Sequence, residues 1–372
     1  MGGSSLEQAF DPRRNALNAW RLAMATGVIL CHSWPLTGRR VSFEPAHRLL
    51  GDVWVDGFFA MSGFLITWSW FRHPRIRDYF LARGLRILPG FWVCLTVTAF
   101  VIAPIAVAVQ GGSPAKLLTS IAPIRYVLAD SALLMQQNDI AGTPHGVPWP
   151  GVWNGSLWTL FWEALCYIAI ALLGVSGLLR RRWLIPTLLA LALIWSARLP
   201  AYNVIAERPP DPQRPIDAAT AALFMQQAAS RFGVMFLAGA LLFQFRNLVP
   251  ARWSFVAVSL IIVLAASVLP NYRLVAAVPL AYALIISGAL LRNKWLNLQT
   301  DLSYGVYIYA WPVQQVLVIC GLAFLNPFAF AIVATVATLP LAALSWFGVE
   351  KRSLALKARL LKKKSVEPAA VG

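Results

Sequence analysis

Apolar residues run along this chain in long, nearly continuous stretches, broken by short segments rich in Arg, Pro and Gly. The stretches lack the every-second-residue alternation of barrel strands, and their lengths suit membrane-spanning helices. They predict helices over about Ala16 to Leu36, Val53 to Phe71, Leu85 to Val109, Leu157 to Leu179, Trp183 to Leu199, Phe232 to Phe245, Phe255 to Leu269, Leu274 to Leu291, Leu302 to Leu325 and Phe328 to Val349. The sixth and seventh are short for a hydrocarbon core of roughly 30 Å. Arg231 is therefore expected to snorkel near a true start of the sixth.

Composition carries the pattern to a class. The 372 residues are 59% hydrophobic and 13% charged, and a mean hydropathy of +0.64 is too high for an ordinary soluble domain. The expected fold is all-α, a polytopic transmembrane helix bundle of about ten spans. Lys and Arg gather on the cytoplasmic side of such bundles. With the N-terminus inside, the inward segments hold Arg13 and Arg14, Arg72 to Arg86, Arg180 to Arg182, Arg246 and Arg252, Arg292 and Lys294, and the tail from Lys351. They carry about twice the Lys and Arg of the outward segments, which hold Arg39, Arg40, Arg48, Lys116, Arg125, Arg198, Arg208, Arg214, Arg231 and Arg273. Both termini are thus expected in the cytoplasm, with the protein multi-pass in the cell inner (plasma) membrane.

The net charge of +17 then has a partner in anionic lipid headgroups and needs no nucleic acid. Residues 1–350 read as one membrane domain and 351–372 as a basic cytoplasmic tail, suited to an interfacial helix or a solubilising end. The first apolar run follows Asp11, Arg13 and Arg14 and lacks a small-residue cleavage site, so it reads as a retained helix. Cys31, Cys94, Cys166 and Cys320 have no zinc or disulfide spacing and are expected to pack. No metal is expected.

Ionisable groups inside apolar spans each cost a few kcal/mol unless paired or hydrated, which makes them informative. Here they are Arg21, His32, Asp56 and Glu163. Arg21 and His32 share a predicted helix, nearly on one face and about 16 Å apart along it. In the orientation above, His32, Asp56 and Glu163 form an outer cluster, while Arg21 lies toward the cytoplasm with Arg83 and Arg86. The latter two, three residues apart, suit phosphate oxygens through forked charge-assisted bonds or simply follow the positive-inside rule. His32 reads as a base or as a satisfied buried imidazole. Asp56 and Glu163 read as its orienting partners or as neutralisers of buried arginines.

Several segments converge on a known pattern. WRLAMATGVILCHS, VWVDGFFAMSGFLI, the arginine pair before ILPGFW, NGSLWTLFWEALCY and LSYGVYIYAWPV together resemble the acyltransferase-3 family of integral membrane acyltransferases. The resemblance implies transfer of an acyl group, commonly acetyl, from cytoplasmic acetyl-coenzyme A to an acceptor such as a surface polysaccharide or lipid-linked sugar. Family residues map onto Arg21 and His32, onto Ser62, Gly63 and Phe64, onto Arg83 and Arg86, and onto Glu163. The chain departs from the pattern at Ala310, where many members carry a histidine, so no catalytic role is assigned there.

Put together, Arg21, Arg83, Arg86 and Ser62 are the expected donor-binding residues. His32 is the expected general base, with Glu163, ahead of Asp56, orienting it. An acyl-histidine intermediate is the competing chemistry. In the outer loop Trp149, Trp153 and Trp158 either stack on sugar faces or form an interfacial belt, and His145 is a weaker base candidate. A transporter or flippase of a lipid-linked sugar is the alternative function, set aside for want of repeated halves. A noncatalytic membrane partner is disfavoured by the Arg21, His32 and Glu163 set.

Overall fold

The computed structural model describes residues 4–200, 217–298 and 300–363, and no strand forms among them. Each predicted apolar stretch is helical: α1 (Leu17–Leu36), α2 (Val53–Arg72), α3 (Ile76–Val97), α4 (Trp158–Val175), α5 (Leu184–Arg198), α6 (Ala218–Gln244), α7 (Trp253–Ala266), α8 (Arg273–Leu290), α9 (Ser303–Ile319) and α10 (Pro327–Ser345). A final helix, α11 (Lys351–Lys363), follows α10 after one π-helical turn. Among the described residues five helical runs are long and apolar enough to cross a membrane: Glu44–Arg72, Ile76–Val109, Trp158–Val175, Arg273–Leu290 and Pro327–Leu356. Leu184–Arg198 and Trp253–Ala266 are apolar but shorter. Arg208, Arg214 and the tail past residue 363 lie outside the described residues.

The sixth helix corrects the sequence reading. It starts at Ala218, where the Asp217 carboxylate accepts from the Thr220 backbone N–H at 2.9 Å, well before Phe232. The early turns are built from helix-favouring Ala, Leu, Met and Gln, but Gln226, Gln227, Ser230 and Arg231 lower their hydropathy and hide them from an apolar pattern. Arg231 does not snorkel at an end. It sits in the middle of α6, 6% exposed, and faces carboxylates of another helix.

Those carboxylates are Asp52, on the turn before α2, and Asp56, inside α2. Arg231 contacts Asp52 at 3.1 Å and Asp56 at 2.7 Å, while Arg273, at the start of α8, contacts Asp52 at 2.8 Å and Asp56 at 2.6 Å. The Tyr272 hydroxyl donates to the second Asp56 oxygen. Two cations and two anions thus cancel in a largely buried site, open only at the partly exposed Asp52, that joins α2, α6 and α8. Asp56, read from sequence as a possible partner of His32, has both oxygens engaged in this knot.

Beside the knot, α2 and α6 touch backbone to backbone. A Cβ on Gly63 would lie 1.9 Å from the Phe236 carbonyl oxygen, and one on Gly239 would lie 1.8 Å from that of Ala60. Small residues at such crossings let apolar helices approach where hydrophobic force between them is weak. α9 packs on both α1 and α10, and α7 on α8. The N-terminal arm is pinned to the α6–α7 turn by Leu6 N–H to Val249 O at 2.8 Å and Ala251 N–H to Ser4 O at 2.9 Å.

Two outcomes follow for stability. Gly239→Val forces the α2–α6 crossing apart and should abolish recovery of monodisperse detergent-solubilised protein, whereas Gly233→Ala, which meets no neighbour, should be recovered at wild-type yield. Arg273→Ala leaves a buried carboxylate uncompensated and should cost about 3–5 kcal/mol, read as a lowered unfolding midpoint.

Candidate active site

One helix carries the two residues around which the site is built. Arg21 and His32 both lie on α1, about 16 Å apart along its axis. Arg21 Nη1 reaches Asp301 Oδ2 at 3.2 Å. Arg86, on α3, donates to the same oxygen, and the Ser303 hydroxyl donates to Asp301 Oδ1. Asp301 lies just ahead of α9 and is 5% exposed. It therefore ties the start of α1, the middle of α3 and the start of α9 through one carboxylate. Sequence reasoning missed it, although it is the lone charged residue between Lys294 and Glu350.

Arg83 is held differently. Its guanidinium carbon lies 5.2 Å from the Tyr79 ring centre and 5.7 Å from that of Tyr167, within cation–π range. Its Nε is buried without a hydrogen bond, and it makes no ion pair among the described residues. Asp301 thus pairs directly with two of the three neighbouring guanidiniums, while the carboxylates of Glu163 and Glu350 lie near enough to act on Arg21 and Arg86.

Glu163, on α4, accepts from the Tyr167 hydroxyl at 2.5 Å and from the Ser62 hydroxyl at 3.3 Å. Tyr79 donates to the Tyr167 carbonyl at 3.1 Å, which links this group to Arg83. Among the described residues no hydrogen bond joins Glu163 to His32. The imidazole is half-buried and packs edge-on against Trp311 of α9 at 4.7 Å, with Nδ1 enclosed and unpartnered. The chain therefore offers separate stations: a cationic one, the Glu163 group, and His32.

The loop ahead of α4 closes over Trp311. The Asn154 amide donates to Ile308 O at 2.7 Å, Tyr307 donates to Ser156 O at 3.0 Å, and Trp311 Nε1 donates to Val152 O at 3.1 Å. Of the three tryptophans read as a sugar platform, Trp153 is fully buried with its indole N–H on Thr143. Trp149 is buried against Trp311 at 5.9 Å. Trp158 packs between Phe224 and Phe232 at 5.3 and 5.5 Å. Trp149 and Trp153 are thus packed inside the protein, while Trp158 keeps part of its ring exposed. His145 is exposed and contributes its carbonyl to Gln110. Ala310 is fully buried, and the Tyr304 hydroxyl donates to Ile87 O.

Residues 14–347 match the family model described as an acyltransferase domain. The chain belongs to the acyltransferase-3 family. Among curated proteins, this family member is 28% identical over 358 residues to an O-acetyl transferase of Shigella phage Sf6, covering 92% of this chain and 96% of that one. It is 27% identical over 376 residues to nodulation protein 10 of Rhizobium leguminosarum bv. viciae, covering 94% of this chain and 95% of the relative. No solved structure matches significantly. Among the described residues of this acyltransferase-family chain, no group of three His, Cys, Asp or Glu side chains is arranged to hold a metal ion.

The contrast between the arginines is measurable. Arg86→Ala removes a partner of buried Asp301 and should cost on the order of 2 kcal/mol, less than a fully buried pair because the guanidinium is about a quarter exposed. Arg83→Ala breaks no ion pair and should keep a thermal midpoint close to wild type in the same detergent.

Proposed function

We propose that this acyltransferase is a multi-pass protein of the inner (plasma) membrane with about ten spans and both termini cytoplasmic. In this reading it carries an acetyl group from cytoplasmic acetyl-coenzyme A to a hydroxyl of an extracytoplasmic polysaccharide or glycolipid. The observation that carries the proposal is that a single helix, α1, holds Arg21 in the cationic station and His32, with an unpartnered ring nitrogen, about 16 Å away. Full-length likeness to an O-acetyl transferase supports acetyl as the group moved and oxygen as the acceptor atom.

The donor's phosphates interact with Arg83, Arg86 and Arg21, and its thin pantetheine arm extends between helices past Ser62, Tyr167 and Glu163. Glu163 serves the donor side here by holding those two hydroxyls, rather than orienting the imidazole. At the far end His32 takes the proton of the acceptor hydroxyl as that oxygen attacks the thioester carbonyl. The tetrahedral intermediate then collapses, the C–S bond breaks, and the imidazolium returns its proton to the leaving thiolate. Ester and free coenzyme A leave with all protons accounted for. Asp56 has no part in this scheme, because its charge is already compensated by the arginine knot.

Mass analysis of surface glycans from cells with and without the protein tests this reading. The protein should account for one O-acetyl modification, and His32→Ala should lower it by about 10² or more at equal protein level, the scale of general base catalysis. Arg83→Ala should raise the KM for acetyl-coenzyme A about tenfold, as expected for loss of one charge-assisted contact. Wild-type ester content in His32→Ala cells would refute the base assignment.

A further inference from the structure

The N-terminal arm crosses the ends of α2 and α6 without filling the space between them. Glu7 N–H donates to Arg246 O at 3.0 Å, and Arg246 Nε donates in turn to the Glu7 carboxylate at 3.1 Å. Behind this clasp lies a cavity of ≈ 280 Å³. That is close to the roughly 300 Å³ at which small-molecule sites begin.

Its walls are aromatic. Phe64, Trp68 and Phe71 follow one another at helical spacing on one face of α2, while Phe243 of α6 and Phe10 of the arm close the other sides. Phe10 meets Phe64 edge-on at 5.2 Å and Trp68 at 5.9 Å, and Phe243 lies 5.9 Å from Phe64 and 5.4 Å from Phe71. Charge is confined to one end. There Glu7, Arg72 and Arg246 border the cavity, with the Arg72 guanidinium carbon 5.4 Å from the Trp68 ring centre and that of Arg246 4.4 Å from Phe243. Glu7 neutralises Arg246, whereas Arg72 makes no ion pair among the described residues, so the rim keeps one positive charge. At 1.5 Å per residue, Phe64 lies about 12 Å along α2 from Arg72.

We infer that this cavity binds one anionic phospholipid, with an acyl chain among the rings and its phosphate on Arg72. The layout selects an amphiphile. A free anion would use only the rim and leave the rings uncovered, and a nucleotide base would bring a hydrogen-bonding edge to five rings whose single polar atom is the Trp68 indole N–H. Acyl chains, by contrast, need no polar partner, and α2 belongs to a run long and apolar enough to cross a membrane, where such chains surround it. In the orientation proposed above, the end of α2 at Arg72 faces the cytoplasm together with Arg75 and Arg77, and anionic headgroups are attracted to basic segments of that kind. The inference rests on that membrane placement and not on the transfer reaction.

The test uses full-length protein stripped of lipid in detergent, and native mass spectrometry to count the lipid retained when phosphatidylglycerol or phosphatidylcholine with the same chains is added at equal concentration. Wild type should retain phosphatidylglycerol about tenfold more than phosphatidylcholine, the scale of one charge-assisted contact. Arg72→Ala should lower phosphatidylglycerol retention by a similar factor, whereas Arg77→Ala, an exposed arginine that does not border the cavity, should stay within about twofold of wild type. Equal retention of the two lipids, or equal loss in the two variants, would overturn the site, since attraction would then be general to a basic surface. So would displacement of the phospholipid by excess glycerophosphoglycerol, its headgroup without chains, because the rings would then contribute nothing. That competition is run on wild type and decides the matter even if Arg72→Ala fails to accumulate. No arm of the test reads acetyl transfer, so a failure of the reaction proposal leaves its outcome unchanged.

Discussion

The structure depends on keeping charge out of lipid without losing it. Four ionised side chains, buried Asp56, Arg231 and Arg273 and partly exposed Asp52, meet at a junction of α2, α6 and α8, where a buried one alone would be costly. Because they cancel as a set, the three helices can meet at one geometry and few others. Shifting α6 along α2 by a turn would move Arg231 by about 5.4 Å and break both of its pairs. The close glycine crossing beside the knot adds steric registration to electrostatic registration.

The cationic station obeys the opposite rule. Asp301 neutralises Arg21 and Arg86 only in part, and Arg83 is kept by aromatic faces rather than by a carboxylate. The two clusters are built from the same residue types and differ in how their arginines are held, by paired carboxylates in one and by a shared carboxylate and aromatic faces in the other.

Much of this was legible in the sequence where the signal is local. Apolar runs gave the helices, and an eleven-residue spacing correctly put Arg21 and His32 on one of them. Pairing was not legible, because it is tertiary. Arg231 looked like the polar flank of a short span, since its partners lie some 175 residues earlier. Asp301 stood out only as a solitary charge, and nothing local said that two distant arginines would share it. Tryptophans in an outer loop fit a sugar platform or an interfacial belt, and their packing against Trp311, Phe224 and Phe232 is tertiary and invisible to either reading. Ten helical stretches were readable as such, while crossing a membrane is a property of length and apolarity that five of them meet in full.

Gly63 sits beside Ser62, whose hydroxyl reaches Glu163. Main-chain atoms of α6 press directly against that glycine, so the height of Ser62 in the bundle is fixed by a contact with no rotatable bonds. A serine on an ordinary side-chain interface would drift whenever neighbouring rotamers rearranged. Here the backbone height of Ser62 is set by the scaffold, and the hydroxyl has only its own rotation left with which to reach Glu163.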